Sequence, residues 1–305
     1  MKIGSEAHKE LFCQSFMASY LEYTPEELPW PQLGEAALDF LRGIPFWEEA
    51  LDTERQAGAK ISAYAATVSD PVLQEALALQ GREETRHARM IKTLIKTYGI
   101  EITERSPVEL PNNLEQAFID FGYEECLDSF FAAGMFKLAR QSGLFPEQLF
   151  TIFDPIIDEE VRHIVFFVNW VNYLQINQGR GAKVYRATQD LWHYGKALGH
   201  LIDAFRSPNP NNEGFTAIGA SAFAADLTPA TFLSTCLEEN TRRMSVFDDR
   251  LLRPQLVPRI AKVALSGLRI LPRRQKEAGG RGQGAGGAGE AGGTGENKNS
   301  ESVSV

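Results

Sequence analysis

Residues 83–87 read Glu-Glu-Thr-Arg-His, and residues 159–163 read Glu-Glu-Val-Arg-His. Each pentapeptide contains the motif Glu-x-x-His, whose residues are Glu84, His87, Glu160 and His163. Because residues three positions apart lie on one face of a helix, a carboxylate and an imidazole spaced in this way can bind the same metal ion. One copy of the motif usually lies on a helix without binding anything, but two copies on two long helices predict a centre for two metal ions.

Long helical segments surround both motifs. We predict four of them, over about residues 45–68, 71–98, 114–142 and 146–178. Asp70 followed by Pro71 is typical of a helix N-terminus, and Gly99 is typical of a C-cap, so the second segment has clear ends. Pro155 lies inside the fourth segment and predicts a kink or a broken start there.

The rest of the chain divides by composition. Residues 1–44 form a predicted N-terminal lead-in with short helices, in which His8 is expected to be exposed. The four long segments make one predicted domain, residues 45–178, and a helical extension follows over residues 179–276. The predicted helices of the extension lie at about residues 183–205, 228–247 and 258–271. Residues 277–305 are rich in Gly and cannot bury a core, so they predict a disordered tail.

If the two motifs share one metal centre, the first and third helices must each add a carboxylate to it. On the first helix, Glu54 shares a face with the apolar Leu51 and Ile61. Glu49 shares a face with Lys60, which is typical of a surface in contact with solvent. We therefore predict that Glu54 points into the core.

The third helix offers three acidic residues for the same role. Glu125 shares its face with Phe118 and Phe136, so it is the predicted inward residue, while Glu124 and Asp128 stay open as alternatives. The stretches 48–52 and 124–128 resemble one another and are as far apart in sequence as the two motifs. This pattern indicates an internal repeat of a helical hairpin, and strict symmetry would pair Glu125 with Glu49, so Glu49 also stays open.

With these ligands the chain resembles the ferritin-like superfamily of di-iron carboxylate proteins, over roughly residues 45–175. The residues that match the six ligands of that family are Glu54, Glu84, His87, Glu125, Glu160 and His163. The resemblance implies an all-α fold, namely a ferritin-like four-helix bundle with additional C-terminal helices. It also implies a cofactor of two Fe ions, with Mn or a mixed Mn/Fe pair as alternatives because these metals share ligand preferences.

An arginine stands directly before each histidine of the motifs. We expect Arg86 and Arg162 to pair with Glu83 and Glu159 beside the helices. Pairs of this kind orient metal ligands.

The composition limits the expected cellular location of the protein and the classes of partner that it can bind. The net charge of -9 excludes nucleic acid as an expected partner. The three cysteines form no C-x-x-C pair, which favours a reducing compartment, and no apolar run reaches about 18 residues, so we expect a cytoplasmic protein. The basic segment 250–274 can lie on an anionic membrane as a peripheral contact, but such a helix more often covers its own domain, which is our expectation.

The resemblance implies a di-iron oxidoreductase that activates O₂ to oxidise a small, apolar organic molecule. An external electron donor is expected, because the sequence contains no flavin, haem or Fe–S motif. Two alternatives stay open: iron or peroxide handling, as in ferritins and rubrerythrins, and a non-catalytic helical interaction protein. The sequence is compatible with a homodimer.

Overall fold

The computed structural model describes residues 1–103, 105, 107–179, 192–196 and 228–270. These residues contain helices and no strand. The helices are α1 (Glu6–Ala18), α2 (Glu35–Gly43), α3 (Trp47–Ala65), α4 (Pro71–Tyr98), α5 (Leu114–Gln141), α6 (Glu147–Asn177), α7 (Pro229–Met244) and α8 (Leu256–Ile270). A short 3-10 helix lies at Pro25–Glu27, and residues 192–196 are also helical.

The ends of α4 follow from local backbone chemistry. The side chain of Asp70 accepts hydrogen bonds from the backbone N–H groups of Val72 and Leu73, both at 3.1 Å. These groups have no partner within the helix, so the cap stabilises the first turn. At the other end Gly99 has a φ of 62°, a left-handed conformation that costs glycine little. The observed helix therefore has the bounds that the sequence predicts.

The predicted broken start of the fourth long helix is wrong. Helix α6 runs without interruption from Glu147 to Asn177 and contains Pro155. Proline removes one hydrogen bond of the helix. The turns before it bury Leu149, Phe150 and Ile152, and this burial holds them in helical register.

The four long helices form a closed ring of contacts. Helix α3 packs against α4 and α5, and α6 packs against α5 and α4. Helix α1 lies against α4 and α6, while α7 packs on α5, and α8 packs on α7 and α5. In α8, the basic helix of the sequence analysis, Val257, Ala261 and Leu265 are buried.

Two apolar clusters occupy opposite ends of this ring. The first contains Tyr64, Phe118 and Trp170, with ring centroids 4.7 Å apart for the last two. The second contains Leu94 and Phe150. The charged residues of the two sequence motifs lie along the helices between these clusters, and all of them except Glu160 are buried.

Several predictions concern residues outside the described ranges. The predicted helix over 183–205 is described only at 192–196, and the Gly-rich tail over 277–305 lies wholly outside. Within the described residues, no helix is long and apolar enough to cross a membrane. The prediction of an exposed His8 is wrong. Its side chain is fully buried, and Asn169 of α6 accepts a hydrogen bond from its Nε2 at 2.9 Å.

Candidate metal centre

The structure brings together the six side chains that the sequence singles out. Helix α3 contributes one, α4 two, α5 one and α6 two, in the order Glu54, Glu84, His87, Glu125, Glu160 and His163. They form two groups in which the candidate ligand atoms all lie within 4.8 Å of one another. Glu84 and Glu160 belong to both groups, Glu54 and His87 to the first, and Glu125 and His163 to the second. Two metal positions bridged by shared carboxylates would fit this arrangement.

The alternative carboxylates lie outside both groups. Glu49 contacts the guanidinium group of Arg105 at 2.6 Å instead. Glu124 and Asp128 line a cavity beside the site. For Glu49 and Glu124 the reason is helical phase: a residue five positions or one position before an inward residue points to a different side of the helix. Asp128 lies three positions after Glu125 and shares its face, but it is almost one turn further along α5.

The Nδ1 atom of His87 faces the carboxylates of the first group. It lies 2.9 Å from Glu160 Oε1, 3.4 Å from Glu84 Oε2 and 3.6 Å from Glu54 Oε2. This nitrogen is buried and has no partner with hydrogen-bond geometry among the described residues. The imidazole nitrogen and the carboxylate oxygens therefore point at one small volume, and the nitrogen forms no hydrogen bond there. This is expected for atoms directed at a metal ion.

In the second group, the Nδ1 atom of His163 also faces carboxylates. It lies 3.0 Å from Glu84 Oε1 and 3.2 Å from Glu125 Oε1, and the contact with Glu125 has the geometry of a hydrogen bond. The other oxygen of Glu125 is buried and has no hydrogen-bond partner among the described residues. The two imidazole rings are 5.8 Å apart between centroids, so the two groups are adjacent halves of one site.

The opposite edge of the His87 ring is fixed from the neighbouring helix. His87 Nε2 donates a hydrogen bond to Glu159 at 2.7 Å, and Arg86 donates to the other oxygen of the same carboxylate at 2.6 Å. Glu159 is fully buried, and although burial alone would raise its pKa, His87 and Arg86 lower it. The ionised carboxylate keeps the ring proton on Nε2, so Nδ1 offers a lone pair to a metal.

The first motif orients the histidine of the second motif in the same way, through Glu83. His163 Nε2 donates to Glu83 at 2.9 Å, and Arg162 donates to the other oxygen of Glu83 at 2.7 Å. Each motif thus orients the histidine of the other motif, through the acid that precedes its own ligand glutamate. The sequence predicted these ion pairs, and the structure shows that the closer pairs link α4 to α6.

The lead-in contributes a contact that sequence reasoning missed. The hydroxyl of Tyr23 donates to Glu159 at 3.2 Å, and the Arg86 guanidinium lies 4.2 Å from the centre of the Tyr23 ring. Arg86 also donates to the carbonyl of Leu21 at 2.7 Å. Residues 1–44 contain no sequence motif that predicts a contact with the metal centre. The contact arises because the 3-10 helix packs against α4 in the folded chain.

The positive and negative charges of the six candidate ligands balance in the metal-free site. Burial raises the pKa of Glu54 to about 8 and that of Glu125 well above its usual range. Burial would also raise the pKa of Glu84 and Glu160, but the adjacent histidines outweigh it and lower both values. Burial would lower the pKa of both histidines, but their carboxylate partners raise it. Two neutral carboxyl groups, two carboxylates and two imidazolium groups result.

This charge state bears directly on whether metal ions fit. Replacing the protons of Glu54, Glu125 and the two histidines by two divalent cations leaves the net charge of the site unchanged. A buried cluster that stays neutral in both states avoids the large cost of an uncompensated buried charge. The donor set therefore fits two divalent ions.

A cavity opens beside the site. Its volume is about 1200 Å³, and its lining includes the four carboxylates of the cluster but neither histidine. The carboxylate side of the centre thus faces the cavity. Glu54 is the most accessible of the three acids of the first group, with 20% of its side chain exposed in the cavity that it lines.

Fold and site together define a helical protein with a cluster of carboxylates and histidines that can hold metal ions. Comparison with protein-family models, with curated proteins and with solved structures gives no match for this chain.

Proposed function

We propose that this chain is a di-iron carboxylate oxidoreductase of the ferritin-like kind, built on a four-helix bundle of α3, α4, α5 and α6. It would activate O₂ and oxidise an apolar organic molecule. The observation that carries the proposal is the pair of overlapping four-residue groups, which share two carboxylates and face a cavity. Carboxylate and imidazole donors suit iron, and Mn or a mixed pair remains compatible because these metals accept the same ligands.

The chain itself has three tasks in such a reaction. The six proposed ligands are those that the sequence predicts, and the acids Glu83 and Glu159 keep the histidine protons on Nε2. The helices would keep water from the histidine side of the centre, since both histidines and Glu84 are almost fully buried. The bound iron ions would supply the redox chemistry with O₂. Electrons would come from an external donor.

The cavity favours an oxidase or oxygenase over iron handling. A protein that stores iron has to admit small ions and O₂, for which a volume of about 1200 Å³ is not required. An enzyme that oxidises an organic molecule has to place that molecule beside the metal centre. Iron or peroxide handling is the second candidate, and a large shell of subunits in solution would favour it.

Metal loading followed by exposure to O₂ tests the proposal. The full-length chain, purified without O₂, is titrated with Fe(II) and then mixed with O₂ in an absorbance spectrometer. We expect about two irons per chain and a new absorption band after mixing. Both features should be lost in the variants Glu84→Ala and His163→Ala. Absence of stoichiometric metal in the wild-type chain would exclude the proposal and leave a non-catalytic helical protein.

A further inference from the structure

Helix α8 buries one apolar face and leaves a second apolar face exposed. Its inner face, with Val257, Ala261 and Leu265, is buried where the helix packs on α7 and α5. On another face, the side chains of Ile260 and Val263 are 52% and 74% exposed. Residues three positions apart share a face of a helix, so these two side chains form one apolar ridge. An exposed apolar surface bordered by polar groups is typical of an interaction site.

Two basic side chains border the apolar ridge. Arg259 and Lys262 are exposed, and because they are also three positions apart they lie together along one side of the ridge. Neither forms an ion pair with an acid in the part of the chain that the structure describes. The preceding bases differ in this respect, since Arg250 and Arg253 each contact an aspartate. The ridge is therefore bordered by positive charge that no described acid neutralises.

The sequence around α8 has a charge opposite to that of the whole chain. Residues 250–276 contain eight Lys or Arg residues and no Asp or Glu, although the net charge of the chain is -9. The last three of these bases, Arg273, Arg274 and Lys276, lie outside the described residues. Clusters of bases on an amphipathic helix are typical of segments that bind anionic lipid headgroups. The charge of this segment therefore favours a partner with a negative surface.

A lipid surface fits these features better than a second copy of the chain. A helix that lies in a membrane interface inserts its apolar residues by about 5–10 Å and places its bases at the headgroups. Ile260 and Val263 beside Arg259 and Lys262 have this arrangement. In a symmetric dimer through α8, the bases of one copy would face the same bases of the other copy, and like charges repel.

We infer that α8 binds peripherally to a membrane surface that contains anionic lipids. Ile260 and Val263 enter the boundary between the headgroups and the acyl chains, and Arg259 and Lys262 contact the lipid phosphates. The inner face of α8 stays packed on α7 and α5 in the bound state. This interaction goes beyond the proposed function, because it does not involve the metal centre.

Sedimentation with lipid vesicles tests the inference. The full-length chain is mixed, in the presence of a metal chelator, with vesicles of phosphatidylcholine alone or of equal parts phosphatidylcholine and phosphatidylglycerol. We expect the chain to bind the anionic vesicles at least about tenfold more tightly than the neutral ones, and this difference should shrink at high salt. Absence of binding to the anionic vesicles, or equal binding to both kinds, would overturn the inference.

Two double variants with the same change of charge assign the attraction to α8. Arg259→Gln combined with Lys262→Gln should weaken binding to the anionic vesicles by about tenfold or more, because both bases lie near the lipid surface. Lys92→Gln combined with Lys96→Gln removes the same charge from exposed positions of α4 and should change binding much less. Circular dichroism checks that both variants fold. Equal losses in the two double variants would contradict binding through α8.

The apolar ridge is tested separately from the charge. Ile260→Ser combined with Val263→Ser should also weaken binding to the anionic vesicles by about tenfold or more, because the transfer of two apolar side chains from water is lost. The control is Leu21→Ser combined with Leu110→Ser, which replaces two other exposed apolar side chains and should leave binding unchanged. Unchanged binding in the variant of α8 would overturn the insertion of the ridge.

A fluorescent label reports directly on the contact of the ridge with lipid. The three native cysteines are buried, so a polarity-sensitive dye reacts selectively with an exposed cysteine introduced by Val263→Cys. The emission of this dye should shift to shorter wavelength when anionic vesicles are added. The same dye on Lys96→Cys, at an exposed position of α4, should not shift. Unchanged emission from the label at position 263 would contradict the inference.

Analytical ultracentrifugation without lipid tests whether a second copy covers the ridge instead. We expect Ile260→Ser combined with Val263→Ser to leave the sedimentation coefficient unchanged. If the wild-type chain were a dimer that this double variant converts to monomers, and if it did not bind vesicles, the ridge would be an interface between two copies and the inference would be wrong. The measurement needs no bound metal, so its outcome does not depend on the proposed function.

Discussion

Glu159 of α6 accepts a hydrogen bond from Nε2 of His87 on α4, at 2.7 Å. The acid sits next to the proposed ligand of its own helix, yet it orients the ligand of the neighbouring helix. Glu83 does the same for His163 in the opposite direction, at 2.9 Å. This exchange couples the two motifs, because the position of each imidazole depends on the register of α4 against α6.

Removing the charge of Glu159 should weaken metal binding. In Glu159→Gln the amide oxygen can accept from only one of His87 and Arg86, and the amide N–H₂ group then faces the other donor, so the imidazole becomes a weaker base. We expect affinity for one of the two metal ions to fall by about 10–100-fold. Competition with a chelating dye under argon measures the change. Glu48→Gln is the control, because Glu48 contacts Arg105 rather than a histidine. Equal affinities in both variants would show that the acid does not tune the site.

Replacing either of two acids of α3, Glu54 or Glu49, should have different effects on the number of metal ions bound per chain. Glu54 belongs to the metal-binding group with His87, whereas Glu49 contacts Arg105. We expect Glu54→Ala to lower bound metal from about two ions per chain to about one, and Glu49→Ala to leave it at about two. Metal analysis after removal of free ions gives these numbers. The reverse result would support the strict internal repeat, with Glu49 as the ligand of α3.

Metal binding should release protons and strengthen as the pH rises. Burial gives Glu54 a pKa of about 8, so this group is mostly protonated at neutral pH in the metal-free chain. A cation has to displace that proton, together with those of Glu125 and the histidines, which makes about four for two ions. Calorimetry of Mn(II) binding in buffers of different ionisation enthalpy counts them. Release should fall by about one proton above about pH 8, where Glu54 is already ionised.

The Glu54→Gln variant separates the proton released by Glu54 from the protons released by the other ligands. Its amide carries no titratable proton, so the change in proton release near about pH 8 should disappear while the remaining release persists. If the wild-type chain released the same number of protons on both sides of that pH, burial would not set the charge of Glu54.

Much of the fold and of the site was predictable because it depends on short-range patterns. Asp70 and Gly99 mark the ends of α4 through backbone hydrogen bonds that only nearby residues determine. The inward phase of Glu54 and Glu125 follows from apolar neighbours at helical spacing. Antiparallel helices on either side of a short turn then bring Glu54 level with Glu84. These relationships need no knowledge of tertiary packing.

Other features depend on how the helices pack, and the sequence does not contain them in readable form. Tyr23 reaches Glu159 only because the lead-in folds back along α4. His8 was expected to be exposed, since nothing near it in sequence indicates that Asn169 buries it. The cavity depends on the distance between α3 and α5. Helical phase indicates which side chains point inward, but it does not indicate whether they meet.

The packed end of the interior should tolerate little added volume. A Cβ atom on Gly122 would clash with the Phe167 ring, which is fully buried. We expect Gly122→Ala to lower the free energy of unfolding by about 1–3 kcal/mol, as for other overpacked cores. Gly267→Ala is the matched control. Nothing lies within 4 Å of its Cβ position in α8, so alanine should stabilise by up to about 1 kcal/mol. Urea unfolding compares the two, and equal effects would mean that Gly122 is not closely packed.

Asn169 should anchor segments from both ends of the described chain. Its side chain accepts hydrogen bonds from the backbone N–H of Leu252 and from His8, both at 2.9 Å, and it donates to the carbonyl of Leu252 at 2.9 Å. In Asn169→Leu these groups lose their partner in a buried setting, at about 1–3 kcal/mol each. We therefore expect a loss of about 3 kcal/mol or more in urea unfolding.

The control for this variant is Thr151→Val, on the same helix. Thr151 is exposed and donates to the carbonyl of Glu147 in its own helix, so its replacement should cost clearly less. Amide hydrogen exchange adds a local measurement: in Asn169→Leu the N–H of Leu252 should lose protection, since its acceptor is gone. If stability fell by less than about 1 kcal/mol and this N–H stayed protected, the segment around Leu252 would be held by the apolar packing of α8 instead.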